Sequence, residues 1–133
     1  MAQNIDIYDV LPNILSRSTQ PSIVGIKVNL TAGKSIDWKR GELIFKNSST
    51  FTNSYASGAE LVGILINDIK YTAEATEERQ IDVYVAGWFL GPVIYNLQNA
   101  ATQTWLTNQA NAKGLSSPYS MTLNNSINLE IAI

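Results

Sequence analysis

The sequence predicts a mainly β domain, a small barrel or sandwich, with one short α-helix and an extended N-terminal arm. Three observations carry this. Apolar and polar residues alternate along IDVYVAGWF and again along the closing INLEIAI, the period of a strand with one buried face. Leu61–Ile66 is an unbroken apolar run of strand length, as in a strand buried on both faces. Helical spacing occurs in one place only, near residues 97–112. The length, 133 residues, suits a single domain, and an apolar share of 45% is enough to build a core.

Taken in order, the chain opens with MAQNIDIYDVLPNILSRSTQPS. Ile5 and Ile7 alternate with polar neighbours as in a short strand, and Pro12 and Pro21 then interrupt it. We read residues 1–22 as an arm that a partner orders; an ordinary N-terminal strand is the competing reading. The β-rich domain then spans 23–133. Ile26, Val28 and Leu30 alternate with Lys27 and Asn29 in a half-buried strand. TAGKS is a turn, and Gly41 in DWKRGE marks a tight turn or bulge, where positive φ is cheapest for glycine. ELIFK is a strand, and NSSTFTNSYASGAE is a loop. Ile69 and Tyr71 extend the Leu61–Ile66 strand after a kink. TAEATEERQ is a polar excursion, and IDVYVAGWF is a strand punctuated by Gly87 and Gly91-Pro92. In the helix, Leu97, Ala101, Trp105 and Asn108 form the stripe, with Leu97 and Trp105 facing the sheet. Asn96 or Asn99 caps its start and Gly114 its end. Ile127, Leu129, Ile131 and Ile133 alternate along the final strand, which pairs within the sheet.

The charge content excludes several classes of function. Charged residues make up 15% of the chain, well below the usual quarter, and the net charge is −2. With only Lys39-Arg40 as an adjacent basic pair, nucleic acid and anionic membranes are not expected partners. Met1–Arg17 lacks the basic and apolar regions of a secretory leader, and no apolar run approaches the length of a membrane span.

Reactive side chains are scarce. The chain has no cysteine and no histidine, which removes thiolate chemistry and the commonest general base and metal ligand. Glu74, Glu77, Glu78 and Asp82 form an acidic run that reads as a solvated turn. No EF-hand spacing joins the aspartates. No Ser-x-x-Lys motif supplies a base for a serine, and TAGKS lacks the first glycine of a Walker A loop. Trp38, Trp88 and Trp105 fall on different elements, which suits core or interface positions better than a sugar platform. We therefore expect no enzyme, no metal and no cofactor, and a function that lies in surfaces.

GAELVGILINDIKYTAE, followed by a polar turn and IDVYVAGWF, resembles the core of the lambda-like bacteriophage head decoration proteins. The matching positions are Gly58, Ala59, Val62, Gly63, Ile64 and Leu65, then Val83, Val85, Gly87 and Phe89. AGKSIDWKRGELIFKN resembles the family's entry turn and strand. NAATQTWLTNQANAKG and INLEIAI fit its helix and closing strand. The resemblance covers roughly Thr31 to Ile133. The stretch SSPYSMTLNN is long for the family's final loop, and the N-terminal region is more apolar than its pattern.

The resemblance implies a viral structural protein. Such proteins sit on the outer surface of the expanded phage head, as homotrimers at three-fold and local three-fold positions. They clamp the major capsid protein against the pressure of packaged DNA. Their N-terminal arms order on binding and add a strand to the capsid. Carried onto this chain, the capsid-binding anchors are Ile5, Ile7, Tyr8, Val10 and Leu11. Trp88, Phe89, Pro92 and Tyr95, aromatic and bulky residues after a strand end, are the candidates for the trimer contact. A tail or connector protein and a small lectin-like module remain the alternatives.

Overall fold

The computed structural model describes residues 22–115, 117–118, 121–124 and 128–132, with Trp88 and everything from 121 onward described by backbone alone. It is mostly β, as expected, and sandwich-like. The elements in order are β1 (Ser22–Leu30), β2 (Ser35–Trp38), β3 (Leu43–Asn47), β4 (Thr50–Thr52), β5 (Glu60–Leu65), β6 (Ile69–Thr72), β7 (Glu77–Leu90), α1 (Gly91–Asn96), α2 (Ala100–Ala112), β8 (Met121–Asn124) and β9 (Asn128–Ala132). The main sheet runs β4-β3-β5-β7-β9-β8, and β1 also pairs with β7; β2 and β6 make a separate two-stranded ribbon.

The long strand β7 organises the molecule. Its residues 77–86 pair antiparallel with β1. Val83 and Tyr84 pair antiparallel with Leu65 and Ile64 of β5. Residues 86–90 pair parallel with β9, which in turn pairs antiparallel with β8. β1 and β5 meet β7 at the same residues and so occupy its opposite edges.

Both faces of the main sheet are covered. On one face Leu43, Phe45, Leu61, Ile64 and Phe89 pack against Ile94 of α1 and Leu106 and Ala110 of α2. On the other, Val28, Leu30, Ile44, Leu65, Ile81 and Val83 pack against Ile36 and Trp38 of the ribbon. β3 and β5 lie between these layers. That is why LIF and the Leu61–Leu65 run are apolar without alternation. In β5 the register shifts, with Ile44 opposite Gly63 and Phe45 opposite Leu61, so that Val62 has no partner. This bulge sends Leu61 and Ile64 to the helix side and Leu65 to the ribbon side.

Several sequence expectations need correction. SIDW is a strand, buried at alternate residues. Ile69 and Tyr71 do not extend β5; they belong to β6, which pairs with β2 and crosses the opposite layer. TFT, read as loop, is β4, joined to β3 by the two-residue turn Ser48-Ser49. Of the polar excursion TAEATEERQ, only 73–76 is irregular; Thr72 ends β6 and Glu77–Gln80 are the start of β7. Gly87 lies within β7 and does not end it. Among the described residues there are two helices, where one was expected. Pro92 stands in the first turn of α1, where its missing N–H leaves no gap.

The helix boundary at Asn99 is as read. Its side chain accepts a hydrogen bond from Thr102 N–H at 3.0 Å. Gly114, at φ 74°, closes α2. Leu115 N–H donates to Ala110 C=O and Gly114 N–H to Asn111 C=O, the paired bonds of a Schellman end. The buried stripe, however, is Thr102, Leu106 and Ala110. Ala101 and Asn108, expected inside, are exposed. The terminal strand pairs within the sheet as expected, while Ile127 and Ile133 lie outside the described residues.

Candidate interaction surface

The α1–α2 junction carries the best-ordered polar cluster. Gln98 is buried between the helices and the strand entry. Its Oε1 accepts from Leu43 N–H at 2.9 Å, and its Nε2 donates to Gly41 C=O at 3.1 Å and Ile94 C=O at 2.6 Å. Next to it, Glu42 is also buried. It accepts from Lys39 N–H at 2.5 Å and from Asn53 Nδ2 at 3.1 Å. Asn99 Nδ2 donates to Asn53 C=O at 3.1 Å, and Tyr55 N–H donates to Thr102 Oγ1 at 3.1 Å. Gly41, at φ 92°, lets the chain turn into this cluster. The Gln98 bonds to Leu43 and Gly41 pair buried backbone groups across 55 and 57 residues of sequence, so the cluster clamps the helical layer to the sheet. No local pattern in the sequence pointed to it.

Beside the clamp lies an aromatic group. Tyr55 and Trp105 stack at 5.4 Å, and each meets Phe45 edge-on, at 5.6 and 5.2 Å. Trp105 faces the sheet, as read from the sequence. Trp38 is buried in the opposite layer, so Trp38 and Trp105 share no surface.

The four candidate trimer residues separate in the structure. Phe89 is fully buried, 5.2 Å from the Tyr84 ring, and offers nothing to a second copy. That expectation is corrected, because β7 turns the Phe89 side chain inward beneath α1. Trp88 stands opposite Glu130 in the β7–β9 register. Pro92 and Tyr95 lie on α1, both half-buried. Tyr95 C=O accepts from Gln103 Nε2 at 3.1 Å. Ile5, Ile7, Tyr8, Val10 and Leu11 lie outside the described residues. β1, which follows that segment directly, exposes Ile23 and Val24 at 53% and 42% of their surface.

Charge is unevenly distributed. Of the twenty charged residues, eighteen precede Val83; residues 83–133 contain only Lys113 and Glu130. The end of β7, both helices, β8 and β9 all fall in this nearly uncharged part. On α2 the exposed residues include Ala100, Ala101, Thr104, Asn108 and Asn111.

The charged part contains a cleft of about 260 Å³, between 67–69 and 79–82, with Leu65 also lining it. At its edge Tyr71 Oη donates to Glu77 Oε2 at 2.7 Å, and the Arg79 guanidinium lies 4.0 Å from the centre of the Tyr71 ring. The hydrogen bond to Glu77, with a smaller contribution from burial, raises the Tyr71 pKa above its ordinary value. Among the described residues no group of three or more acids could hold a metal ion, and no helix is long and apolar enough to cross a membrane. No family model matches the chain, and no curated protein or solved structure is significantly similar to it.

Proposed function

We propose that this chain is a viral structural protein, a head decoration protein. It binds the outer surface of the expanded phage capsid as homotrimers at three-fold and local three-fold positions. Its partner is the major capsid protein, and its work is to brace the shell, with no catalytic step. The capsid is named on the resemblance of the Gly58–Phe89 stretch to the decoration family. The observation that carries self-association is the charge distribution. Protein contacts are depleted of charge at their centres, because each buried ion must be paired or its desolvation cost met. A run of 51 residues, 83–133, with two charges can meet its own copies with little of that cost.

The arm supplies the second part of the proposal. Residues 1–21 lead into β1, whose Ile23 and Val24 are exposed. An extended segment there would pair by main-chain hydrogen bonds, and three arms on one trimer would add through effective concentration.

The direct test is co-sedimentation of purified protein with expanded, undecorated heads of its own phage. Saturable binding in multiples of three per three-fold position is expected. Deleting Met1–Arg17 should reduce that binding at least tenfold while leaving the melting temperature of the β domain unchanged. Failure to bind any head form would overturn the proposal in favour of a tail or connector protein. Unchanged binding by the deletion variant would overturn the role of the arm alone.

A further inference from the structure

Among the described residues, the cleft beside β7 is bounded by an unpaired stretch of sheet edge. β5 accompanies β7 only at Val83 and Tyr84. The last bond between them is Ile66 N–H to Asp82 C=O, stretched to 3.4 Å. The Asp82 carbonyl therefore points toward the β5 side. Backbone polar groups alternate in direction along a strand, so Gln80 presents its N–H and C=O to the same side, into the cleft. β1 occupies the other edge throughout this stretch. Among the described residues no backbone group meets Gln80 on the cleft side.

The opposite wall is the 67–69 segment, and the lining is acidic. Asp68 accepts Arg40 N–H at 2.7 Å through one oxygen, and its charge also acts on the Arg40 guanidinium. Asp82 accepts only a long bond, 3.4 Å, from Gln80 Nε2. Both aspartates are exposed. The one cation of the lining, Arg79, is laid over the Tyr71 ring. A volume of about 260 Å³ is small for a drug-sized ligand and suits a short stretch of extended chain.

We propose that this cleft is a strand-addition slot. Its occupant is an extended segment of a partner protein that pairs with the Gln80 backbone and places a lysine or arginine between Asp68 and Asp82. The main-chain bonds supply register, and the two carboxylates select the sign of the charge. The slot lies on β7 in the charged part of the sequence and its argument uses neither the arm nor the capsid, so it stands whether or not the partner is a capsid.

The test is titration of the ¹⁵N-labelled full chain with a blocked hexapeptide, Thr-Lys-Val-Lys-Val-Thr, followed by amide chemical shifts. Saturable shifts at Gln80, Asp82 and 67–69 are expected. The peptide with glutamate in place of lysine should bind at least tenfold more weakly. So should a peptide N-methylated at its edge-facing amides. The Asp68→Asn, Asp82→Asn double variant should lose the lysine peptide by a similar factor and keep its melting temperature. Equal binding of both peptide charges would overturn the proposal. So would equal shifts from blocked lysine alone, which would mark a cation contact without strand addition. Concentration-dependent shifts at the same amides without peptide would assign the slot to a second copy and overturn the partner.

Discussion

Gly63 lies where β5 presses against β7. A Cβ at this position would come within 2.5 Å of the Tyr84 carbonyl oxygen and 2.7 Å of Val83 Cγ2. Backbone and a fully buried valine cannot move aside cheaply, so the close approach of the two strands depends on the missing side chain. Gly63→Ala is expected to cost about 1–3 kcal/mol, the range for overpacking a filled core. Urea denaturation checks this, with a lowered midpoint at unchanged slope. At Gly25 a Cβ would meet the far end of the Gln80 side chain, which can swing away; the same substitution there should be nearly neutral. Gln98 gives a second prediction of opposite kind. Gln98→Leu fits the space but leaves Leu43 N–H and Gly41 C=O without their partner. Each buried group stranded in this way costs about 1–3 kcal/mol. The same melt should show a loss larger than any change in buried apolar area explains.

The elements differ in how plainly the sequence announces them. β5 and β7 were legible because their residues are apolar in the run or alternation that burial demands. The ends of α2 were legible because Asn99 and Gly114 cap by local chemistry. β2, β4 and β6 were not, being three or four residues each; strands so short carry too few residues to set a period. The buried face of α2 was missed by one position, since Thr102 and Ala110 on that face are no more apolar than Ala101 outside it. The clamp of Gln98 and Glu42 joins distant residues and leaves no local trace. The ribbon carries its own prediction. Tyr71 of β6 is tied to Glu77 at the start of β7, and its pKa is raised from 10.0. In that case the folded state holds the proton more tightly than the unfolded state. The contribution is fully present below the unfolded value and is lost as pH rises through the folded one. Stability should therefore fall above about pH 10 more steeply in the native protein than in Tyr71→Phe, which has no phenol to ionise there. Thermal melts of both proteins across that alkaline range check it. Parallel curves would dissociate the decline from Tyr71.

At the scale of the whole molecule, the division between a charged part and a nearly uncharged part has no basis in fold stability. Surface charges away from special contacts change stability little, and a helix of thirteen residues without one charge forgoes the solubility that most exposed helices carry. Contact with another copy gives the pattern a physical reason. The α2 face offers a place to test this without touching the core. Thr104 and Asn108 are both exposed and one turn apart. Thr104→Glu with Asn108→Lys adds an i,i+4 pair of favourable order, keeps the net charge, and should leave the melting temperature unchanged or slightly raised. If the uncharged face lies between protomers, the pair must be desolvated there, and trimers cross-linked on the head should fall at least tenfold. Lys70→Glu with Glu74→Lys, an equally conservative exchange in the charged part, should leave the trimer yield as it was. Wild-type cross-linking by the α2 variant would remove this helix from the contact and leave α1, uncharged and carrying Pro92 and Tyr95, as the next surface to test.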